Sequence, residues 1–533
     1  MNRRTSQSGI PLEPFYTAAH VGGEAADTGE VPGEYPFTRG RLASPRRREA
    51  WIHQELSGEG SARRSNEQFR QLIARGARGI DVIGDAPTMS ALDPDHPLAR
   101  HAVGNTGVSL CRLQDFAELY ADLPLDELTV SHSLPPGAYA IAALHRVAAQ
   151  RGFAPSVLRG STILLPAYCE DCSYQIHMPY ELRMRLALDS IEFAAREMPR
   201  FHAFLEDTYY ISDGGLDAVE EMALGFVEIR EIVRRLVARG IDVDSFAPRI
   251  AILVNCRMDF FEEIAKIRAT RRIFARMMRE EFAARDPRSW SCAITAHTSG
   301  LSLTLAQPVN NVARGALQGL ALALAGVQAV EISCFDEAYR TPSHDAHMVS
   351  LRTQQIVQLE AGADRVADPL GGSYYVESLT DEMESRILAM VEKIESMGDL
   401  GELCDGGWFR ELFQNAMTRR ARAIEEKSEI QVGVNAFAVA DEEDTLLRAA
   451  SESKLEPCRE RIDEIRLFKD QRDRGRVGEH FARLREAAAA PDNLLPAIGD
   501  ALEADLTQGE ISGALRLGVG APYDPLGMME PPL

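Results

Sequence analysis

From about residue 65 the chain alternates between two hydrophobic periods. Short apolar runs rich in branched residues occur at GIDVIGD, ELTVSHS, STILLPA, PRFHAFLED, RIAILVN, CAITAHT, AVEISCF and DRVADPLGG, and each reads as a strand. Segments with a helical period lie between them. In SNEQFRQLIARG, Ser65 or Asn66 can cap, Phe69, Leu72 and Ile73 share one face, and Gly76 can end the helix. The clearest helix is LDAVEEMALGFVEIREIVRRLVARGID. There Met222, Phe226, Ile229, Val233, Leu236 and Val237 form an apolar stripe, and Gly240 supplies the stop. Eight strands separated by helices predict an α/β fold of the (β/α)8, or TIM-barrel, type. A doubly wound sheet would want a GxGxxG turn after its first strand, and the sequence has none.

The regions flanking this alternation differ. Residues 1–60 contain many Gly, Pro and Arg with little periodicity and read as an extended N-terminal arm. The barrel is expected over 61–400. Beyond it, text such as TDEMESRILAMVEKIESM and CRERIDEIRLFKDQRDRGRVGEHFARLREAAAA predicts a C-terminal helical region and tail over 401–533.

Composition narrows the function. The 533 residues are 45% hydrophobic and 26% charged, as in ordinary globular proteins. Lys plus Arg number 58 against 80 Asp plus Glu, a net charge of −22, which argues against nucleic-acid binding. No run of about 20 apolar residues suggests a membrane span. No signal peptide is read at the N-terminus, and eight cysteines are too sparse for a disulfide scaffold, so a cytoplasmic location is expected. The lone CxxC of Cys169 and Cys172, with His177 nearby, lacks the second pair of a zinc motif and reads as structural, so no metal ligands are assigned. Barrel enzymes work at the C-terminal ends of their strands. By position the candidates are Asp81, Asp85, His132, the segment after Leu165, Asp207 to Asp213, His297 and Glu337.

Several segments resemble the large subunit of methylmalonyl-CoA mutase and its relatives: PGEYPFTRG, IDVDSFAPR, DFFEEIAKIRATRRIF, TSGLSLT, NNVARG, FDEA, VADPLGGSYYVESLT and GVNAF. The resemblance implies a barrel followed by helices, and isomerase chemistry with adenosylcobalamin. In that family the adenosyl radical takes a hydrogen from the substrate, and a 1,2 shift of the thioester carbonyl group rearranges the carbon skeleton. Fused members add a cobalamin-binding domain with a DxHxxG motif. The nearest text here, Asp345 to Ser350 with His347 at its centre, falls inside the barrel and is read as a chance match. A separate small cobalamin-binding subunit is therefore the expected partner, as in the split isobutyryl-CoA and 2-hydroxyisobutyryl-CoA mutases. The resemblance also implies an acyl-CoA or other acyl thioester substrate, dimerisation through the large subunit, and a G-protein chaperone. It implies no partnership with nucleic acid or membrane.

The family's site is only partly matched. Leu56 stands where a Tyr helps expel the adenosyl group, and Glu49 and Gln54 replace two arginines that contact CoA. Thr162 is kept, Leu164 replaces a substrate-contacting Gln, and Tyr174 (or Ser173) replaces the Arg that holds a free carboxylate. In the segment matching GYHxxEAG, Tyr209 is kept and Tyr210 replaces the His that bonds the thioester carbonyl. His297 takes the place of a Gln facing the corrin, beside Gly300, and Glu337 matches a residue that contacts the adenosyl ribose. Ser131, Ser133, Arg249 (on a fifth strand) and Gln328 are kept as substrate-side residues, while Ile83 makes the pocket more apolar. Asp81, where relatives carry Ser, either bonds a substrate hydroxyl or is a solvated strand-end carboxylate.

These changes share a direction. A buried carboxylate without a cation would cost several kcal/mol, so an uncharged, branched acyl group is expected rather than a dicarboxylic one. Two other readings stay open. One is a catalytically silent subunit paired with an active chain. The other is a mutase whose acyl group rides on a carrier protein, since arginines expected at the nucleotide are replaced, although Arg46, Arg47 and Arg48 stand nearby.

Overall fold

The computed structural model describes residues 4–5, 11–12, 15, 17, 29–43, 51–134, 137–168, 178–440, 442–444 and 456–532. Eight parallel strands form one closed ring. In chain order they are β1 (two pieces of one extended run, Ile52–His53 and Leu56–Ser57), β2 (Gly79–Ile83), β3 (Thr129–Ser133), β4 (Arg159–Ile163), β5 (Phe201–Asp207), β6 (Ile250–Cys256), β7 (Ala293–Thr298) and β8 (Ala329–Glu331). Each neighbours the next. The ring shuts because the two pieces of β1 face opposite ways: Ile52 and His53 pair with Ala329 and Val330 of β8, while Leu56 and Ser57 pair with Asp81 and Val82 of β2.

A helix follows every strand and covers the ring. These are α1 (Ala62–Ala74), α2 (Leu113–Leu119), α3 (Gly137–Gln150), α4 (Tyr180–Glu197), α5 (Ala218–Ala238), α6 (Phe260–Arg276), α7 (Asn310–Ala325) and α8 (His344–Gln355). The expected barrel is thus present, with three local corrections. The first strand lies in WIHQELS, inside the stretch read as arm. Its centre is polar on both faces, with Gln54 bonded inward to Glu331 and Glu55 bonded outward to Ser350 and Gln354, so no apolar run marks it. DRVADPLGG is no strand but a series of turns, and Asp368 within it adopts φ +45°. Finally, α1 begins after Ser61, whose hydroxyl accepts from the Arg64 N–H, so Ser65 and Asn66 lie inside the helix.

At α5 the Gly240 stop holds, and the N-terminus carries a capping box that was not read from the sequence. Asp217 accepts from the N–H groups of Val219 and Glu220, the Glu220 carboxylate accepts from the Asp217 N–H, and Gly240 follows the helix at φ +81°. Met222, Phe226, Ile229, Val233 and Leu236 are buried, but Val237 is 43% exposed and leaves the stripe.

The C-terminal helices form a partial outer layer. α9 (Tyr374–Glu395) packs on α5 and α6, and α10 (Trp408–Glu425) follows it. α11 (Arg459–Gln471), α12 (Arg474–Ala489), α13 (Leu494–Glu503) and α14 (Gln508–Gly518) complete the layer, with α13 against α3 and α4. Apolar residues of this layer join those of the barrel helices in two large cores outside the ring. Among the described residues no helix is long and apolar enough to cross a membrane.

Three of the quoted motifs meet in one buried ion network. Arg268 of α6 pairs with Asp368 and, through both carboxylate oxygens, with Glu377 of α9; Arg39 pairs with Asp368 at 2.7 Å. Arg272 of α6 adds the Thr38 hydroxyl at 3.0 Å and the carboxylates of Asp381 and Glu384. Nearby, fully buried Lys266 lies between Glu221 and Glu263. DPLGGSYYVESLT therefore fastens the outer layer to the barrel.

Candidate active site

Barrel interiors are usually packed with branched apolar side chains. Here only one side is. Ile163, Leu165, Leu205, Ala251, Leu253 and Ala293 form an apolar cluster within the ring, joined by Tyr209 and Tyr210. The other side is polar. The Ser161 hydroxyl donates to Ser131 at 2.9 Å; both the N–H and the hydroxyl of Ser133 donate to the Asp81 carboxyl, at 2.9 and 2.8 Å. Gln54 donates to Glu331 at 2.6 Å, and the other oxygen of Glu331 lies 3.4 Å from His297 Nε2.

Asp81 and Glu331 form a coupled acid pair within this polar strip. Burial raises Asp81 to about 6 despite the bonds from Ser133. Glu331 is raised well above the carboxylate range, first by burial and then by the charge of Asp81. Two carboxyls so placed hold a proton between them at neutral pH. Burial lowers His297 to about 4, so it meets Glu331 as a neutral ring rather than as the cation of an ion pair.

Above the strip, at the C-terminal mouth, opens a cavity of about 480 Å³, within the range of small-molecule sites. Leu56, Ile83, Gly300, Leu303, Glu337 and Arg340 are among its walls. Tyr209 comes from the one-turn helix Thr208–Ser212, whose cap is Asp207, accepting from the Tyr210 N–H at 2.9 Å. The Tyr209 ring meets His297 edge-on, with centroids 4.6 Å apart. Gly300 leaves room there: a Cβ would lie 3.1 Å from an Asp213 oxygen and 3.5 Å from the Tyr209 hydroxyl. Half-buried Glu337 is raised to about 7, chiefly by desolvation. Asp207 is raised to about 8 by burial, and its Oδ2 has no hydrogen-bond partner among the described residues.

The structure gathers most of the sequence candidates and separates six. Leu56, Ile83, Gly300 and Glu337 line the cavity; Asp81, Ser131, Ser133, His297, Tyr209 and Tyr210 lie in or beside the interior. Thr162 faces the helices, bonded to His132, and Leu164 packs in the outer core, because along β4 it is Ser161, Ile163 and then Leu165 that turn inward. Arg249 and Gln328 sit at the N-terminal ends of β6 and β8. Arg249 donates to the Pro199 carbonyl, and Gln328 spends its amide on Ile294 N–H and Gly326 carbonyl. Arg249 also precedes the sixth strand rather than the fifth, since the ring begins one strand earlier than the text suggests. Asp85 caps a helical turn, accepting from Thr88 and Gly104 N–H groups, and His132 points outward to Tyr120. Tyr174, Ser173, the CxxC, His177 and residues 46–49 lie outside the described residues.

Glu331 and Leu165 are site residues that the sequence reading did not single out, whereas Asp207 stood among its strand-end candidates. Alternation along AVEISCF was the available signal for the first: Val330 and Ile332 enter the outer core, so Glu331 and Ser333 turn the other way.

A closed parallel barrel with its cavity at the C-terminal mouth defines the class: a (β/α)8 barrel built to act on a small molecule within the ring. The methylmalonyl-CoA mutase family profile matches residues 5–521, and the chain belongs to that family. It is 33% identical over 520 residues to a 2-hydroxyisobutanoyl-CoA mutase large subunit from Aquincola tertiaricarbonis, covering 96% of this chain and 91% of that one. It is 34% identical over 511 residues to a methylmalonyl-CoA mutase from Cereibacter sphaeroides, of which 71% is covered. With the mitochondrial methylmalonyl-CoA mutase of Homo sapiens it shares 30% over 513 residues, covering 67% of that chain.

Proposed function

We propose that the chain is the barrel subunit of an adenosylcobalamin-dependent acyl-CoA mutase that rearranges an uncharged, branched acyl thioester, with cobalamin brought by a separate small subunit. The observation that carries this reading is the mouth cavity, walled by Leu56 and Ile83, with a proton-sharing acid pair beneath it. The walls suit a branched alkyl group, and the Asp81 side of the strip suits a hydroxyl on it. The large-subunit relative, matched over 91% of its length, supports a split arrangement.

The residues at the mouth fit adenosylcobalamin. Glu337 would hold the ribose, Gly300 leaves the space a side chain would fill, and His297 would face the corrin. When bound, the cofactor supplies the radical that starts the reaction. The chain's own residues position and shield. Burial holds the Tyr209 phenol protonated, so it can donate to the thioester carbonyl from beside His297. Tyr210 and the apolar half of the interior exclude water.

A second reading has one observation in its favour: Arg340 lines the cavity and is a cation that a carboxylated substrate could use. The test combines the chain with a small DxHxxG partner, adenosylcobalamin and a panel of branched, hydroxylated and carboxylated acyl-CoAs, reading isomer formation and 5′-deoxyadenosine. Isomerisation of uncharged thioesters alone is expected. Turnover of carboxylated ones alone transfers the case to Arg340. With no turnover of any thioester, the silent-subunit reading replaces this one.

A further inference from the structure

Outside the ring, at the seam where β8 meets β1, three side chains converge that the proposed reaction does not use. Glu55 sits at the break in β1, Cys334 just after β8, and His347 in the first turn of α8. Their exposures are 1, 2 and 2%, and one donor atom from each lies within 4.8 Å of the others. Cys334 Sγ is 3.6 Å from His347 Nδ1, and Glu55 Oε2 is 3.8 Å from the same nitrogen.

That shared nitrogen decides between two chemistries. In a nucleophilic triad the thiol and the acid occupy opposite ring nitrogens, so that the ring can relay a proton. Here both approach Nδ1, and the three donors surround one point. Tetrahedral coordination with a metal–sulfur bond of about 2.3 Å and a metal–nitrogen bond of about 2.0–2.1 Å sets these donors roughly 3.6 Å apart, as observed. We propose that Glu55, Cys334 and His347 bind a divalent transition cation, zinc by its mixed S, N and O donors, leaving a fourth position on the side of the mouth cavity that His347 also lines.

The surroundings are built for it. Ser350 and Gln354 both donate to Glu55 Oε1 at 3.1 Å, which leaves Oε2 turned to the cluster. Behind His347, the Gln68 amide lies 3.1 Å from Nε2 by its nitrogen, while its buried oxygen has no hydrogen-bond partner among the described residues. Turning that amide over satisfies both groups: the oxygen accepts from Nε2–H and fixes Nδ1 as the free donor. One dication balances a thiolate and a carboxylate that would otherwise be costly to bury, and the Cys334 proton leaves to solvent on binding. No spacing motif announces the site, because Cys334 and His347 are 13 residues apart and Glu55 comes from a distant segment.

The experiment uses the full chain stripped with a chelator and titrated with Zn²⁺ or Co²⁺. One equivalent per chain is expected, with a thiolate-to-cobalt charge-transfer band that Cys334→Ser abolishes. Gln68→Ala should weaken affinity roughly 10–100-fold. A wild-type chain without the band, or a band that survives Cys334→Ser, overturns the assignment. Should Cys334→Ser not fold, Gln68→Ala decides: cobalt affinity equal to wild type also overturns it.

Discussion

The Asp81–Glu331 pair makes stability depend on pH in the direction opposite to a salt bridge. Both carboxyls titrate above their ordinary range, because burial disfavours their charge. Between the ordinary range and the raised values, the folded chain binds more protons than the unfolded one, so stability falls as pH rises through that window. For Asp81 the window runs from 3.8 to about 6, and Glu331 extends it upward. Asp81→Asn removes this penalty. The variant should gain on wild type as pH rises, by about 2–3 kcal/mol at pH 8, with no such gain near pH 4. Urea unfolding at both pH values measures it, and a difference that does not vary with pH contradicts the pair.

At the level of elements, α6 is held by charge as much as by apolar packing. Arg268 is 1% exposed and bridges Asp368 of the turn series to Glu377 of α9. Arg268→Ala leaves both carboxylates short of a partner and should cost about 3–5 kcal/mol in denaturant unfolding. A loss below about 1 kcal/mol would mean that Arg39 alone neutralises Asp368. Elements of this kind also show what a sequence reveals. α5 was legible because stripe and stop agree, and Val237 escaped only because a stripe has an edge. β1 was hidden, since Gln54 and Glu55 bury polar groups on both faces where a strand signal needs apolar ones. At the end of β4 the run Ile163-Leu164-Leu165 is apolar throughout, so composition could not tell inward from outward, and Leu164 was credited with a position that Ile163 and Leu165 hold. Site residues marked by unusual side chains at strand ends, such as His297 and Glu337, were readable. Glu331 had only the alternation of AVEISCF to mark it, and its pairing with Asp81 across the ring needed the fold.

For the whole molecule, the ring is thinnest on the two sides of β1, which pairs with β8 and with β2 at two positions each. By contrast, β6 and β7 pair at six. The amides of Ile52 and Gln54, bonded to the carbonyls of Gln328 and Val330, should exchange with deuterium at least about tenfold faster than those at the centre of β6. Equal protection would show that the barrel opens only as a unit. The seam also has a history within each molecule made. On the ribosome β1 emerges first and gains β2 on one side soon afterwards, but its other side waits about 280 residues for β8. At roughly 5–20 residues per second that is about 15–60 s with a strand edge uncovered, so a cell making this chain must keep a half-built cylinder from pairing with its neighbours.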